Sequence, residues 1–281
     1  MPTALRLPEV VVPGRRLGRN VRHDPRSLAY LVPPRTAAPQ TRVWQRVLPI
    51  LDQGDLGSCT GNATVGVLGS QPYWGTLTPA QQQSLGEDEA VAIYSAATRL
   101  DDDPDHYPPT DTGSDGLSVA KAATTAGYIS GYQHVTSVAA AQAAILTGPF
   151  IVGTLWLAGM DTPDPTGRVR VAGTVRGGHE YQCLGYHADT DLWEFCNSWG
   201  AGWGRGGHFL YSSADFARLL AQQGDATTFV PITQPAPTPA PAPPVATWPP
   251  LAAYTGWKAH PHSDSRQRAL VQAVDGWLAT R

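Results

Sequence analysis

A glycine-punctuated segment at residues 52–63, Asp-Gln-Gly-Asp-Leu-Gly-Ser-Cys-Thr-Gly-Asn-Ala, brings one cysteine, Cys59, to the predicted start of a helix. The partial positive charge of a helix N-terminus favours an anion, and it therefore favours the thiolate, the nucleophilic form of cysteine. Gln53 lies six residues upstream, where its amide can reach the same space. A lone cysteine at a helix start is more often structural than catalytic, so the assignment depends on the second half of the chain.

The second half contains a glycine-flanked histidine and an asparagine in a distinctive setting. His179 follows two glycines and precedes an apolar segment, and Asn197 begins the run Asn-Ser-Trp-Gly-Ala-Gly-Trp-Gly. With Gln53 and Cys59, these motifs resemble the papain family of cysteine peptidases, in the same order, over residues 42–232. The resemblance is to a bacterial or phage-like branch without the usual disulfides. It implies an α+β papain-like fold, in which a helical lobe and a β-rich lobe enclose the active-site cleft.

The resemblance also implies a chemistry for these four residues. Cys59 would be the nucleophile, His179 the base that later acts as acid, and Asn197 the group that orients the imidazole. Gln53 would form the oxyanion hole together with the backbone N–H of Cys59. The implied activity is that of a cysteine endopeptidase that hydrolyses peptide bonds through an acyl-enzyme thioester.

Further residues are expected to support the site or to bind substrate. By the same resemblance, Trp199 shields the hydrogen bond between asparagine and histidine, and Ser58 precedes the nucleophile. Gly116 and Leu117 align with the family's glycine-rich loop, which pairs with the main chain of a substrate, although Leu117 replaces a glycine there. A plain turn that enters a helix is the alternative at this position. Gly178 is the expected main-chain contact on the opposite side of the cleft.

Two other functions remain open from the sequence: a cell-wall peptide amidase, and a non-catalytic assembly or structural protein that retains the peptidase fold. No cofactor or metal is expected. The acidic residues 101–106 lack the spacing of an EF-hand, and His260 and His262 are interpreted as exposed side chains. The expected partner is a protein or peptide substrate, with no nucleic acid and no membrane, and the oligomeric state is unknown.

The sequence divides into four predicted regions. Residues 1–41 are a basic, Pro/Arg-rich N-terminal arm or short propeptide, and residues 42–232 are the papain-like peptidase domain. Residues 233–250 alternate proline with alanine, which is typical of an extended linker. Residues 251–281 form a C-terminal amphipathic helical segment that either folds back or docks on a partner, with an apolar stripe of Leu270, Val271, Val274, Trp277 and Leu278.

Hydrophobic periodicity predicts a helix that begins near residue 87. A helix is also expected from residue 59 to about residue 69, an alanine-rich one over 139–146, and, in the alternative interpretation of Gly116 and Leu117, one over 119–126. Branched apolar composition predicts a buried strand at 150–156, and further strands are expected around the histidine, before the asparagine and near 208–212. Residues 157–176 are predicted to be a loop with an extra hairpin near 169–175.

Charge is distributed unevenly along the chain. Residues 1–46 carry a net charge of +7, with nine arginines, whereas the remaining residues carry −10. This asymmetry favours intramolecular docking of the arm on an acidic body, with a solvated flexible tail as the alternative.

The three cysteines cannot all pair. A hairpin with His179 opposite Asn197 would pair Cys183 with Trp193, so that Cys183 and Cys196 would point to opposite faces of the sheet. The resemblance places the family's disulfide at positions that hold Leu56 and Ser114 here. Because neither position holds a cysteine, we expect the protein to work in the cytoplasm or another reducing compartment. We find no signal-peptide pattern and no apolar run long enough for a transmembrane segment.

Overall fold

The computed structural model describes residues 4–232 and 265–278, and the chain divides into two compact units, Met1–Thr238 and Pro239–Arg281. The predicted linker at 233–250, His260 and His262 lie outside the described residues. Within the described ranges, no helix combines the length and the apolar character needed to cross a membrane.

Within residues 4–232, the first unit contains six α-helices, several of which begin at side-chain caps. Asp115 accepts a hydrogen bond from the backbone N–H of Ser118 at 2.8 Å, and Ser137 caps the following helix in the same way. The described part of the second unit is one helix, α7 (Ser265–Leu278), whose predicted apolar stripe includes side chains that are not described. The six helices are α1 (Cys59–Leu68), α2 (Pro79–Ser84), α3 (Glu87–Thr98), α4 (Gly116–Thr125), α5 (Val138–Ala144) and α6 (Ser213–Ala221).

Among the residues that the structure describes, seven strands form one antiparallel sheet in the order β2-β7-β3-β4-β5-β6, with β1 paired to β4. The hairpin expected near residues 169–175 does not form. Arg168 makes a single bridge to Leu210 instead, and the following residues fold back as a loop. The strands are β1 (Arg42–Val43), β2 (Gly131–Val135), β3 (Phe150–Leu157), β4 (Val175–His187), β5 (Leu192–Cys196), β6 (His208–Ser212) and β7 (Asp225–Val230).

The hairpin of β4 and β5 has a different register from the predicted one. Cys183 lies opposite Phe195, not Trp193, and Cys196 lies opposite Gln182. A bulge between Cys183 and Gly185 shifts the pairing, which strict alternation could not anticipate. Since Phe195 and Cys196 are neighbours, the two cysteines still point to opposite faces, and both are free thiols, as is Cys59.

Helix α1 lies at the centre of the unit, where all ten of its residues are buried. It packs against α3 and α4 on one side and against β3 and β4 on the other. Gly61 allows the close approach of α3, because a Cβ at this position would overlap the carbonyl oxygen of Ala90. The helix thereby carries its first residue, Cys59, to the junction between the helical layer and the sheet.

A cluster of titratable groups lies on β5 and β6. Nδ1 of His208 lies 2.8 Å from a carboxylate oxygen of Glu194, and the thiol of Cys196 lies 3.7 Å from the ring. Hydrogen bonds to Cys196 and Glu194 raise the pKa of His208 to about 10. The protonated imidazole therefore stabilises the folded chain over a wide pH range.

This cluster predicts a pH-dependent stability. Because the pKa of His208 is raised on folding, its contribution is fully present below pH 6.5 and is lost as the pH rises through about 10. We expect His208→Gln to lower the free energy of unfolding by about 2 kcal/mol at pH 6 and by much less at pH 10.5. Urea unfolding at the two pH values measures this, with exposed His106→Gln as control; an equal loss at both would contradict it.

Candidate active site

The loop before α1 holds Cys59 at the helix start. The backbone N–H of Gly57 donates to a carboxylate oxygen of Asp111 at 2.9 Å, and the hydroxyl of Ser58 donates to the side-chain oxygen of Asn62 at 2.9 Å. Cys59 is completely buried. Ser58 thus stabilises the first turn of α1, while its neighbour presents the sulfur.

His179 on β4 and Asn197 at the end of β5 lie side by side. Nε2 of His179 and Oδ1 of Asn197 are 2.7 Å apart. An amide oxygen only accepts hydrogen bonds, so Nε2 carries the proton and Nδ1 presents a lone pair. Nδ1 is buried and has no hydrogen-bond partner among the described residues. The imidazole is therefore fixed at one nitrogen and able to take a proton at the other.

Aromatic rings enclose this pair. The indole of Trp199 stacks on the imidazole of His179 with ring centroids 5.0 Å apart, and Trp156 approaches edge-on at 5.0 Å. The rings exclude water from the hydrogen bond between histidine and asparagine, which strengthens it.

The sulfur of Cys59 lies beside the same strand. The backbone N–H of Glu180, the residue after His179, donates toward this sulfur and acts to lower the thiol pKa. Helix α1 and strand β4 thus place the sulfur of Cys59 next to the backbone of Glu180, the neighbour of His179 in the sequence.

Gln53 lies in the loop before Cys59 and directs an amide N–H into the cleft. Its Oε1 accepts a hydrogen bond from the hydroxyl of Ser198 at 2.6 Å, which fixes the amide orientation. Its Nε2 donates to the carbonyl of Leu56 at 2.8 Å and reaches the carbonyl of Leu17 at 3.4 Å. An amide donor held in this way can stabilise a carbonyl oxygen that becomes negatively charged.

Residues 16–20 of the N-terminal arm, here termed the cleft segment, lie across this site. The backbone N–H groups of Gly18 and Arg19 both donate to the carbonyl of Gly178, at 3.1 and 3.0 Å. On the other side, the N–H of Ser114 donates to the Gly18 carbonyl at 2.9 Å, and its carbonyl accepts from Asn20 at 2.7 Å. The site therefore holds an extended main chain from both sides.

Only some of the residues predicted to bind the main chain of a substrate pair with the cleft segment. Gly178 pairs with the cleft segment on one side, and on the other side Ser114 pairs with it in place of Gly116 and Leu117. The reason is that Asp115 caps α4, so that Gly116 and Leu117 already belong to the first helical turn. Leu117 is buried and lines a separate cavity.

Glycines permit the close approach of the cleft segment. A Cβ at Gly18 would overlap the carbonyl oxygen of Gly57, and a Cβ at Gly113 would overlap that of Gly18. Gly18 has φ +138° and Gly113 has φ +69°, conformations that residues with side chains rarely adopt. The segment fits this site because its central residue lacks a side chain.

Ion pairs attach the basic arm to the acidic body. Arg16 lies 3.2 Å from a carboxylate oxygen of Asp111, and Arg22 lies 2.9 Å from one of Asp102. The indole N–H of Trp199 also donates to the carbonyl of Arg16 at 3.1 Å. Of the two interpretations of the charge asymmetry, the structure favours docking over a solvated tail.

The enclosed site keeps its thiol and imidazole neutral. Burial raises the pKa of the Cys59 thiol well above its ordinary value, despite the N–H of Glu180. Burial also lowers the pKa of His179 to about 3, against the opposing effect of its hydrogen bond to Asn197. The expectation of a thiolate at the helix start is therefore wrong for this filled state, because a buried site disfavours separated charges.

Sequence reasoning missed three residues at the site: Arg19, Ser114 and Glu180. Glu180 carried a signal, since it is a charged residue inside an otherwise apolar strand that becomes completely buried. Such a residue requires a partner, and Arg19 of the cleft segment lies against it.

Comparisons with known proteins agree with this architecture. No protein-family model matches the sequence, and no curated protein matches it significantly. The structure is similar to xylellain, a cysteine protease from Xylella fastidiosa, with a TM-score of 0.58 and 16% identity over 79% of this chain and 99% of that one. It is also similar to procathepsin L 3 of Tenebrio molitor larval midgut, with a TM-score of 0.50 and 18% identity over 77% of this chain and 76% of that one. The chain therefore has the α+β fold of papain-like cysteine proteases.

Proposed function

We propose that the chain is a cysteine endopeptidase that hydrolyses peptide bonds through the triad Cys59, His179 and Asn197. The observation that carries this proposal is the hydrogen bond of 2.7 Å between His179 Nε2 and Asn197 Oδ1. It leaves Nδ1 of His179 without a hydrogen-bond partner among the described residues, and the next residue, Glu180, directs its backbone N–H toward the sulfur of Cys59. The fold found in cysteine proteases supports the same assignment.

The proposed reaction uses each side chain in turn. Cys59 passes its proton to Nδ1 of His179, and the thiolate attacks the substrate carbonyl carbon. The amide of Gln53 and the backbone N–H of Cys59 stabilise the resulting oxyanion. His179 then protonates the leaving amine, the C–N bond breaks, and a thioester remains on Cys59. Water, deprotonated by His179, hydrolyses the thioester and restores the thiol.

The cleft segment would block this reaction, since it occupies the main-chain contacts that a peptide substrate needs. It is held at Gly178, at Ser114 and through Trp199. We therefore infer that the arm inhibits the site in its own chain and that catalysis follows its displacement or removal. The neutral thiol and imidazole belong to this blocked state, and entry of substrate or water would allow them to ionise.

A thiol-labelling experiment tests the proposal on the full-length chain. We expect an epoxysuccinyl thiol-protease inhibitor to form one adduct, on Cys59, during prolonged incubation under reducing conditions. His179→Ala should slow this labelling by at least about 100-fold, because it removes the base. Intact and peptide masses at successive times give the rates.

Cys183 and Cys196 are internal controls, because both are buried thiols outside the triad. A chain that is not labelled at Cys59, or is labelled equally at all three, and that leaves a peptide mixture intact would contradict the proposal. That result would favour a non-catalytic protein with the same fold.

A further inference from the structure

Beside Cys59 and His179, a buried pocket encloses the side chain of Arg19. The guanidinium has no solvent-exposed area. Its Nη2 pairs with Asp225 on β7 and donates to the carbonyl of Gln223 at 2.7 Å. Its Nε lies 3.9 Å from a carboxylate oxygen of Glu180 on β4. Two carboxylates and a carbonyl thus surround one cation.

The walls of this pocket are shaped for a flat, branched group. A Cβ at Gly153 on β3 would overlap Nε of Arg19. A Cβ at Gly116 would lie 2.7 Å from Asp225 Oδ2 and 3.3 Å from Glu180 Oε1. Two absent side chains therefore leave the space that the guanidinium and its partners fill.

Without a cation such as Arg19, the carboxylates of this pocket would lack a positive counterpart. Glu180 is completely buried, and neither of its carboxylate oxygens accepts a hydrogen bond from the described residues. Burial raises the pKa of Glu180, Asp225 raises it further, and Arg19 acts in the opposite direction. Since an unpaired buried carboxylate is costly, the pocket is complementary to a cation.

We propose that this pocket, once Arg19 has left it, selects substrates by binding an arginine side chain. The inference rests on the proposed peptidase function and specifies its substrate class: peptides with an arginine near the bond that is cleaved. The main chain on either side of Arg19 is held at Gly178 and Ser114, so a substrate bound by the same groups would direct a side chain into the pocket.

Arginine fits better than lysine for a geometric reason. Nη2 of Arg19 pairs with Asp225 and donates to the carbonyl of Gln223, while Nε of the same planar group lies 3.9 Å from Glu180 without a hydrogen bond. The delocalised charge of the guanidinium therefore lies between two carboxylates at once. A single ammonium group concentrates its charge at one point. Lysine peptides should therefore be weaker substrates than arginine peptides, and citrulline peptides, which keep the shape but lose the charge, weaker still.

The experiment uses the full-length chain with Gly18→Val and Arg19→Ala. The valine would overlap the carbonyl of Gly57 and so displace the cleft segment, and the alanine vacates the pocket. Digestion of a peptide mixture, with cleavage sites mapped by mass spectrometry, should show arginine at a fixed distance from the cleaved bond. Matched synthetic peptides with arginine or citrulline at that position then give the preference in kcat/KM. We expect arginine to be favoured by about 10- to 100-fold, the effect of hydrogen bonds to a charged group.

Two further variants assign the preference to the pocket. Adding Glu180→Gln and Asp225→Asn should reduce it to about twofold or less, whereas adding Asp88→Asn, an exposed carboxylate on α3, should leave it unchanged. Hydrolysis of a leucine peptide checks that each variant is folded. Should the double variant fail this check, Asp225→Asn alone, farther along the sheet from His179, must still lower the preference.

A binding measurement separates this proposal from the peptidase function. Fluorescence polarisation of labelled arginine and citrulline peptides on the chain with Gly18→Val and Arg19→Ala requires no turnover, and the arginine peptide should bind at least about tenfold more tightly. Equal binding, or cleavage of leucine and arginine peptides at equal rates, overturns the pocket proposal while Cys59 labelling still supports a peptidase. Selective binding with neither labelling nor cleavage overturns the peptidase and leaves an arginine-binding pocket.

Discussion

A full-length chain with Gly18→Val is expected to hydrolyse peptides about 10- to 100-fold faster than the unmodified chain. The valine side chain would overlap the carbonyl of Gly57, and the φ of +138° at this position is unfavourable for a branched residue. Overpacking of this kind costs about 1–3 kcal/mol, and this cost falls on the docked arm alone. The population with an open cleft rises by the corresponding factor.

The measurement is the initial rate of hydrolysis of a fluorogenic peptide under reducing conditions. Gly86→Val is a matched control, because a Cβ there would have no neighbour within 4 Å and the backbone is extended, with φ 174°. It should change the rate less than twofold. An unchanged rate for Gly18→Val, with thermal unfolding that shows a folded chain, would argue that the cleft segment does not limit access.

The second expected result is the loss of that activity with Cys59→Ala. In the Gly18→Val chain, we expect the substitution to lower kcat by at least about 10³-fold, because no other group can form the thioester. The Cys59 side chain is buried at the start of α1, and its replacement by the smaller methyl group of alanine should change the fold little. The same fluorogenic assay measures the loss.

Cys183→Ala provides the comparison, since it removes a buried thiol that is not one of the three proposed triad residues. Its rate should stay within about twofold of the parent chain. Activity that survives Cys59→Ala but disappears with Cys183→Ala or Cys196→Ala would refute the assignment of the nucleophile.

Much of the candidate site could be located in the sequence because its residues lie in short motifs that resemble those of the papain family. A cysteine after a glycine-rich loop begins α1, and a histidine and an asparagine on adjacent strands meet across the hairpin of β4 and β5. Helical periodicity likewise located α3 to within a few residues, since it buries one apolar face, and alanine-rich composition located α5.

The remainder depended on contacts between distant segments. The sequence Gly-Ser-Asp-Gly at 113–116 offers two glycines as substrate contacts, and only the cap of α4 by Asp115 decides that Ser114 is the pairing residue. The bulge beside Cys183 changes the hairpin register through backbone geometry that alternation does not encode. The net charges of the arm and the body indicated that the arm docks, but they could not indicate that Arg19 lies against Glu180, because a net charge does not say which residues meet.

The segment that fills the cleft belongs to the same polypeptide as the cleft itself. Its effective concentration at the site is set by the connecting residues, on the order of millimolar for a short flexible tether, and does not change when the protein is diluted. A separate competitor must therefore reach comparable concentrations or bind far more tightly. Cutting the connection turns this tethered ligand into a dissociable peptide, so one cleavage would convert a dilution-independent block into one that dilution removes.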